Sequence, residues 1–147
     1  MTKIYLVRHC EAIGNVTDIF QGVTDLDITE LGAKQLEVLK NRFEGIELDC
    51  VYSSPLIRAR KTAAAIIGDK PLSAKIENGL IEIDGGIIEG KNYVDVFSKN
   101  RELADTWINR PHEFSPEGGE STRDAYERIW NTVKKIADDN KGKTVAC

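Results

Sequence analysis

The sequence is poor in the residues that cross-link small proteins. Its three cysteines, Cys10, Cys50 and Cys147, are odd in number, lie far apart and form no Cys-x-x-Cys pair. This spacing argues against a disulfide framework or a structural zinc site, and it fits a reducing compartment. We therefore expect a cytoplasmic protein.

Long apolar runs and an excess of basic residues are also missing. No window approaches the roughly 20 apolar residues of a membrane-spanning helix, and the N-terminus leads into only a short apolar run, so neither membrane attachment nor a signal peptide is expected. Lys and Arg number 20 against 24 Asp and Glu, which gives a net charge of −4. This balance does not favour general nucleic-acid binding, and an anionic substrate would need a local arginine cluster.

The composition is that of an ordinary globular domain. The 147 residues are 41% hydrophobic and 30% charged, which is enough for a substantial core. Helical and strand patterns alternate along the chain, without internal repeats. This alternation predicts one α/β domain over residues 1–147 with a largely parallel sheet.

The chain opens with a strand pattern that ends in polar residues. Ile4–Val7 are all apolar without alternation, which predicts a short strand buried on both faces. Arg8 and His9 follow at its carboxyl end, where open α/β sheets bind their ligands. Alternatively, the two residues only mark the end of the strand, with the histidine hydrogen-bonded at the surface. The glycine-punctuated loop that follows, over residues 12–25, is a candidate wall of a site.

The rest of the pattern predicts these elements in order: a helix from Thr29 to Gly45, a buried strand over 48–53, a helix that Ser54 and Pro55 open and Gly68 closes, a weak strand at Lys75–Ile76, a helix over Asn92–Ile108, an amphipathic helix that Ser121 and Asp124 open with a capping box, and a further strand beginning at Lys143.

Two charged residues in this part of the chain, Arg58 and Glu82, each allow a functional and a structural interpretation. Arg58 lies in the first turn of a helix, where a cation opposes the helix dipole, which suggests a bound anion. Alternatively, Arg58 is a solvated charge on the protein surface. Glu82 lies between Ile81 and Ile83, and these apolar neighbours would desolvate it and raise its pKa, as a general acid requires. Otherwise it lies on the wet face of a strand. His112 has the surroundings of an exposed loop residue.

Several separated motifs occur together in one order, namely Arg8-His9 after an apolar strand, Asn15, Ser53-Ser54-Pro55 with Arg58 and Thr62, Glu82 with Gly85 and Glu89-Gly90, and Gly118-Gly119-Glu120-Ser121. Together they resemble the histidine phosphatase superfamily, also called phosphoglycerate-mutase-like, over almost the whole chain. The resemblance implies a three-layer α/β/α sandwich with a mostly parallel central sheet. It also implies that a histidine attacks a phosphate monoester to give a phosphohistidine.

The resemblance assigns a role to each matching residue. His9 would be the nucleophile, and Glu82 would protonate the leaving alcohol and then activate water. Phosphate would be bound by Arg8, Asn15 and Arg58, with Gln21 and Gly22 near the substrate. No metal or cofactor is implied, and the ligand is a phosphorylated small molecule or inorganic phosphate. The charge on the phosphoryl oxygens suits planar arginine donors.

The sequence departs from the family pattern at several positions. Cys10 and Ala12 replace the glycine and threonine of the usual Arg-His-Gly-Glu-Thr, and Ile88 replaces an aromatic residue, which puts the usual leaving-group contacts in doubt. The Cys10 thiol either narrows the pocket or sensitises it to oxidation, or is buried and inert.

The last departure concerns the C-terminus. The family's second catalytic histidine follows the last core strand, whereas residues 144–147 only begin such a strand and His112 precedes the Gly-Gly-Glu-Ser motif. We therefore expect a domain that is incomplete at its C-terminus and turns over slowly.

Three functions stay open at this point. The first is a phosphate-monoester hydrolase, and a cofactor-dependent phosphoglycerate mutase is its alternative within the family. The third is a non-catalytic phosphate-binding or protein-interaction module. An incomplete domain would expose apolar surface and a sheet edge, through which we expect that the chain could form a homo-oligomer.

Overall fold

A sheet of four parallel strands forms the centre of the computed structural model, which describes all residues from Met1 to Cys147. The strand order is β1-β4-β2-β3, with these bounds: β1 Lys3–Tyr5, β2 Cys50–Ser53, β3 Ala74–Ile76 and β4 Thr144–Ala146. Every adjacent pair is parallel. The predicted α/β class and parallel sheet are confirmed.

The chain forms six α-helices, namely α1 Ile13–Thr17, α2 Glu30–Phe43, α3 Ile57–Ile67, α4 Tyr93–Lys99, α5 Arg101–Ile108 and α6 Thr122–Asp139. Two of the predicted caps are present: the Thr29 hydroxyl accepts from the Gly32 N–H at 3.0 Å, and the Ser121 hydroxyl accepts from the Asp124 N–H at 3.1 Å. None of the helices has both the length and the apolar character needed to span a membrane.

The residues of β2 show how the layers are arranged. Successive side chains of a strand point to opposite faces of the sheet. Val51 packs with Phe43 of α2 and Ile66 of α3 on one face. The Tyr52 hydroxyl accepts a hydrogen bond at 3.1 Å from Asn140, which follows α6. Helices α2 and α3 therefore cover one face of β2, and the end of α6 lies on the other.

A second apolar cluster contains no residue of the sheet and is built largely from the segment that connects β3 to α6. Helices α4 and α5 pack against its five buried members, Phe20, Ile83, Ile88, Phe114 and Ala125. This cluster fixes the irregular segment that carries Glu82, because Ile83 is one of its members.

The first strand is less buried than its apolar run predicts. β1 pairs only with β4 and is therefore an edge strand, and Leu6 just beyond it is 71% exposed. The prediction of burial on both faces is wrong, because Ile4, Tyr5 and Val7 are only half-buried and Leu6 is exposed. The final strand lies between β1 and β2, so the open edges of the sheet are β1 and β3. Association of two copies through such an edge stays a prediction.

The predicted helix over Asn92–Ile108 is two helices. Asn100 ends α4, and its side chain accepts from the Leu103 N–H at 3.1 Å to cap α5. An asparagine side chain that binds local backbone competes with a continuous helix, which explains the break. The predicted loop over residues 12–25 also contains the short helix α1.

Helix α3 begins at Ile57, not at Ser54 and Pro55. Its N-terminal cap comes from another part of the chain, since the Asp25 carboxylate accepts from the Ile57 N–H at 2.7 Å. A carboxylate at this position also favours the helix dipole. The sequence around residue 55 carries no signal of this tertiary cap.

Candidate active site

A cavity of about 510 Å³ lies near the carboxyl ends of β1, β2 and β4. Arg8, His9, Arg58 and Glu82 all line it. Another part of the lining is apolar and comes from the segment before Glu82 and from α6, with Leu80, Ile81, Ile129 and Val133 as its members. The sequence thus predicted the charged residues that meet here, and the cavity adds an apolar wall.

The neutral imidazole of His9 is held as a single tautomer. Its Nδ1 lies 2.5 Å from the carbonyl oxygen of Cys10. Because a carbonyl only accepts hydrogen bonds, Nδ1 carries the proton and Nε2 keeps a free lone pair. Burial lowers the pKa of His9 below its usual 6.5, and the charges of Arg58 and Arg8 lower it further, although the Cys10 carbonyl and Glu82 act in the opposite direction. The imidazole of His9 is therefore neutral at physiological pH.

Arg58 is a buried residue, only 2% exposed, so its interpretation as a solvated surface charge is wrong. Its guanidinium donates to three backbone carbonyls of one loop: Gln21 at 2.7 Å, Gly22 at 2.9 Å and Thr24 at 3.1 Å. Burial lowers the pKa of Arg58, and the nearby carboxylates Glu82, Asp25 and Glu89 oppose that effect. The Nε–H and one N–H of Nη1 donate to no protein acceptor, so two donors stay available to a ligand.

The loop that contacts Arg58 is held from its other side by Glu89. This carboxylate accepts from the backbone N–H groups of Val23 at 3.1 Å, Thr24 at 2.9 Å and Gly85 at 2.7 Å. Gly22 lies so close that a Cβ there would be 2.3 Å from Glu89 Oε1 and 1.9 Å from a backbone carbonyl. Sequence reasoning recognised Glu89 only as part of a motif, and it missed the cap from Asp25.

Asn15, Gln21 and Gly22 do not line this cavity. The Asn15 carbonyl oxygen accepts from the Ala12 N–H at 2.8 Å, and its amide nitrogen has no acceptor in the protein. Both polar atoms of the Gln21 side chain are buried without a partner. An unpaired buried amide calls for an explanation, and a ligand is one. The role of Asn15 in phosphate binding, and that of Gln21 and Gly22 near the substrate, stay predictions.

Glu82 lies in an irregular segment between two 3-10 turns, Asn78–Leu80 and Gly86–Ile88, so it is not in a strand. Its side chain is exposed, and one of its oxygens accepts from the Ile83 N–H at 2.9 Å. The expected desolvation by apolar neighbours is wrong, because Ile83 packs into the second apolar cluster instead of over the carboxylate.

The remaining candidates lie outside the cavity. The Cys10 side chain is 7% exposed and is not part of the lining, while its N–H donates to the Thr62 hydroxyl at 3.1 Å. His112 lies in an exposed 3-10 turn over Pro111–Glu113, as predicted for a surface residue. No group of three or more His, Cys, Asp or Glu side chains is arranged to bind a metal ion.

Residues 4–147 match the model of the histidine phosphatase superfamily, branch 1. The chain belongs to this superfamily. It is 35% identical over 145 residues to phosphoserine phosphatase 1 of Hydrogenobacter thermophilus, an alignment that covers 99% of this chain and 69% of that protein. It is 33% identical to a 2,3-bisphosphoglycerate-dependent phosphoglycerate mutase of Mesorhizobium japonicum, over 86% of this chain and 64% of the mutase.

The superfamily fold is also found in solved structures. The structure of Bacillus stearothermophilus YhfR superposes with a TM-score of 0.94 at 32% identity, over 99% of this chain and 72% of that one. The chain therefore spans about two thirds to three quarters of the length of these three proteins. A second histidine beyond residue 147 stays a prediction.

We expect the single imidazole of a His112→Gln variant to titrate below pH 6.5, because burial lowers the pKa of His9. ¹⁵N NMR of the imidazole measures this midpoint, and the neutral form should carry its proton on Nδ1. Since the unfolded chain binds this proton at a higher pH, the group's contribution to stability is lost as the pH falls below 6.5. A midpoint at or above 6.5, or a neutral form protonated on Nε2, would contradict the assignment.

Proposed function

We propose that the chain cleaves phosphate monoesters through a phosphohistidine on His9. The observation that carries the proposal is the hydrogen bond from His9 Nδ1 to the Cys10 carbonyl, which leaves Nε2 free to attack. Arg8, Arg58 and Glu82 line the same cavity, so a phosphate monoester bound there would meet two cations and the carboxyl group of Glu82.

In the first step the Nε2 lone pair attacks phosphorus and the bond from phosphorus to the ester oxygen breaks. Arg8 and Arg58 offset the charge on the phosphoryl oxygens. Glu82 gives its proton to the departing alkoxide, which leaves as the alcohol. In the second step Glu82 takes a proton from water, whose oxygen attacks phosphorus and releases inorganic phosphate and free His9.

Small phosphorylated alcohols are the substrate class that we favour. Support comes from the similarity to a phosphoserine phosphatase and from the apolar wall beside Glu82, which would contact the carbon atoms of the alcohol. The only other histidine, His112, lies outside the cavity. We therefore expect this chain to form the phosphoenzyme and to hydrolyse it slowly.

Phosphoglycerate mutase activity is the second candidate, because relatives with that name are about as similar to the chain. A hydrolase should release phosphate from aryl phosphates without transferring the phosphoryl group to added phosphoglycerate. We expect this result in a coupled phosphate-release assay, with ³¹P NMR to follow phosphoglycerate. Efficient transfer of the phosphoryl group to phosphoglycerate would identify a mutase instead.

Replacing His9 by alanine should abolish covalent phosphorylation, because the variant has no nucleophilic nitrogen at that position. The measurement is the incorporation of ³²P from a labelled phosphate monoester, with a label that is lost in acid and stable in base, as expected of phosphohistidine. His112→Gln is the matched control and should keep the label. Labelling that survives His9→Ala would refute the mechanism, and a wild-type chain that binds phosphate without labelling would favour a non-catalytic module.

Replacing Glu82 by glutamine should slow the first turnover of an alkyl phosphate by roughly 100-fold or more, because the variant cannot transfer a proton. Rapid quenching measures the rate of alcohol release. Vanadate affinity should stay within about threefold of wild type, because the amide keeps the shape of the carboxylate. Equal losses of rate and affinity would argue against the assigned role.

A further inference from the structure

Arg128 of α6 forms a set of hydrogen bonds that the proposed chemistry does not use. Its Nε and Nη2 donate to the two carboxylate oxygens of Glu120 at 2.8 and 2.6 Å. Its Nη1 donates to the backbone carbonyls of Ile81 at 2.8 Å and Gly79 at 3.0 Å. The guanidinium thus binds the residue directly before Glu82, although Arg128 does not line the cavity.

Glu120 fixes the chain on the other side of Glu82. Its backbone N–H donates to the Asp84 carbonyl at 2.9 Å. The preceding residue, Gly119, lies against the same segment, since a Cβ there would be 2.4 Å from the Asp84 carbonyl oxygen. The ion pair of Glu120 and Arg128 therefore brackets Glu82 between two backbone attachments.

These attachments matter because residues 81–85 belong to no helix or strand. The ion pair is largely buried, with side-chain exposures of 28% for Arg128 and 20% for Glu120, and hydrogen bonds from a charged donor are stronger than neutral ones. The turn before Glu82 also packs tightly on α6, where a Cβ on Gly79 would be 2.0 Å from the Thr132 hydroxyl. Helix α6 is thus the support on which this segment rests.

We propose that Arg128 and Glu120 are positioning residues that set the distance between the Glu82 carboxylate and the ester oxygen. The inference rests on the proposed role of Glu82 in proton transfer. A displacement of about 1 Å at a reacting group costs roughly 100-fold in rate, even when the substituted residue is remote from the chemistry. Loss of the Arg128 hydrogen bonds should therefore weaken proton transfer without removing any group from the cavity.

The leaving group distinguishes positioning from general damage. An alkoxide, as from phosphoserine, needs a proton to leave, whereas 2,4-dinitrophenolate is stable without one. Arg128→Met should slow first-turnover phosphorylation by phosphoserine by about 30- to 100-fold, and phosphorylation by 2,4-dinitrophenyl phosphate by less than about threefold. Arg123→Met is the matched control on the same helix, because Arg123 forms only an exposed pair with Glu127, and it should change neither rate.

A double-mutant cycle tests whether Arg128 acts through Glu82. Adding Arg128→Met to Glu82→Gln should lower the phosphoserine rate by less than about threefold, since the group to be positioned is already absent. Glu120→Gln is the second variant and should reproduce the leaving-group dependence to a smaller degree. Thermal unfolding and vanadate affinity measured on each variant identify any loss of folded protein.

The rates measured with the two esters separate the positioning role from the proposed function. Equal losses with both esters, or additive losses in the double variant, would overturn the positioning role and leave the proposed function intact. Arg128→Met rates within threefold of wild type for both esters would also overturn it. A wild-type chain that neither ester phosphorylates would overturn the proposed function, and with it this inference.

Discussion

The buried guanidinium of Arg58 needs hydrogen-bond acceptors, and the structure around the cavity depends on this requirement. Removing the Arg58 guanidinium from water costs several kcal/mol unless its donors are satisfied, and three carbonyls of residues 21–24 supply the acceptors. These carbonyls belong to a loop, so the loop conformation and the burial of the arginine depend on each other. Glu89 binds the N–H groups of the same loop, so that both polar sides of this backbone are paired.

The irregular segments follow a common principle. The loop beside Arg58 and the segment around Glu82 lack secondary structure, and in each case a charged side chain from another element binds their backbone groups. Gly22 and Gly119 allow the close approach that this arrangement requires, because a Cβ at either position would meet a backbone carbonyl. The geometry of these segments thus depends on hydrogen bonds to their backbone and, around Glu82, also on the packing of Ile83.

Features that depend on neighbouring residues could be predicted from the sequence, whereas features that depend on distant contacts could not. The caps at Thr29 and Ser121 depend on neighbours within three residues, and the alternation of helices and strands depends on short-range periodicity, so both were predicted correctly. The cap from Asp25 joins residues 32 apart in the chain, and no local pattern records it. The burial of Arg58 and the exposure of Glu82 are likewise set by tertiary packing. The residues of the site were recognisable as a family pattern, whereas their surroundings were not.

The position of β4 in the middle of the sheet bears on the order in which the protein folds. β2 and β3 are close in sequence and can pair early, but β1 has no strand neighbour except β4, whose register joins Lys3 to Thr144. Pairing over such a separation closes a loop of almost the whole chain, and contacts of this kind slow folding. On the ribosome, the strand that delivers Arg8 and His9 to the cavity must therefore wait for residues 144–146 before it can join the sheet. His9 is synthesised long before residues 144–146, yet it reaches the cavity only after they are made.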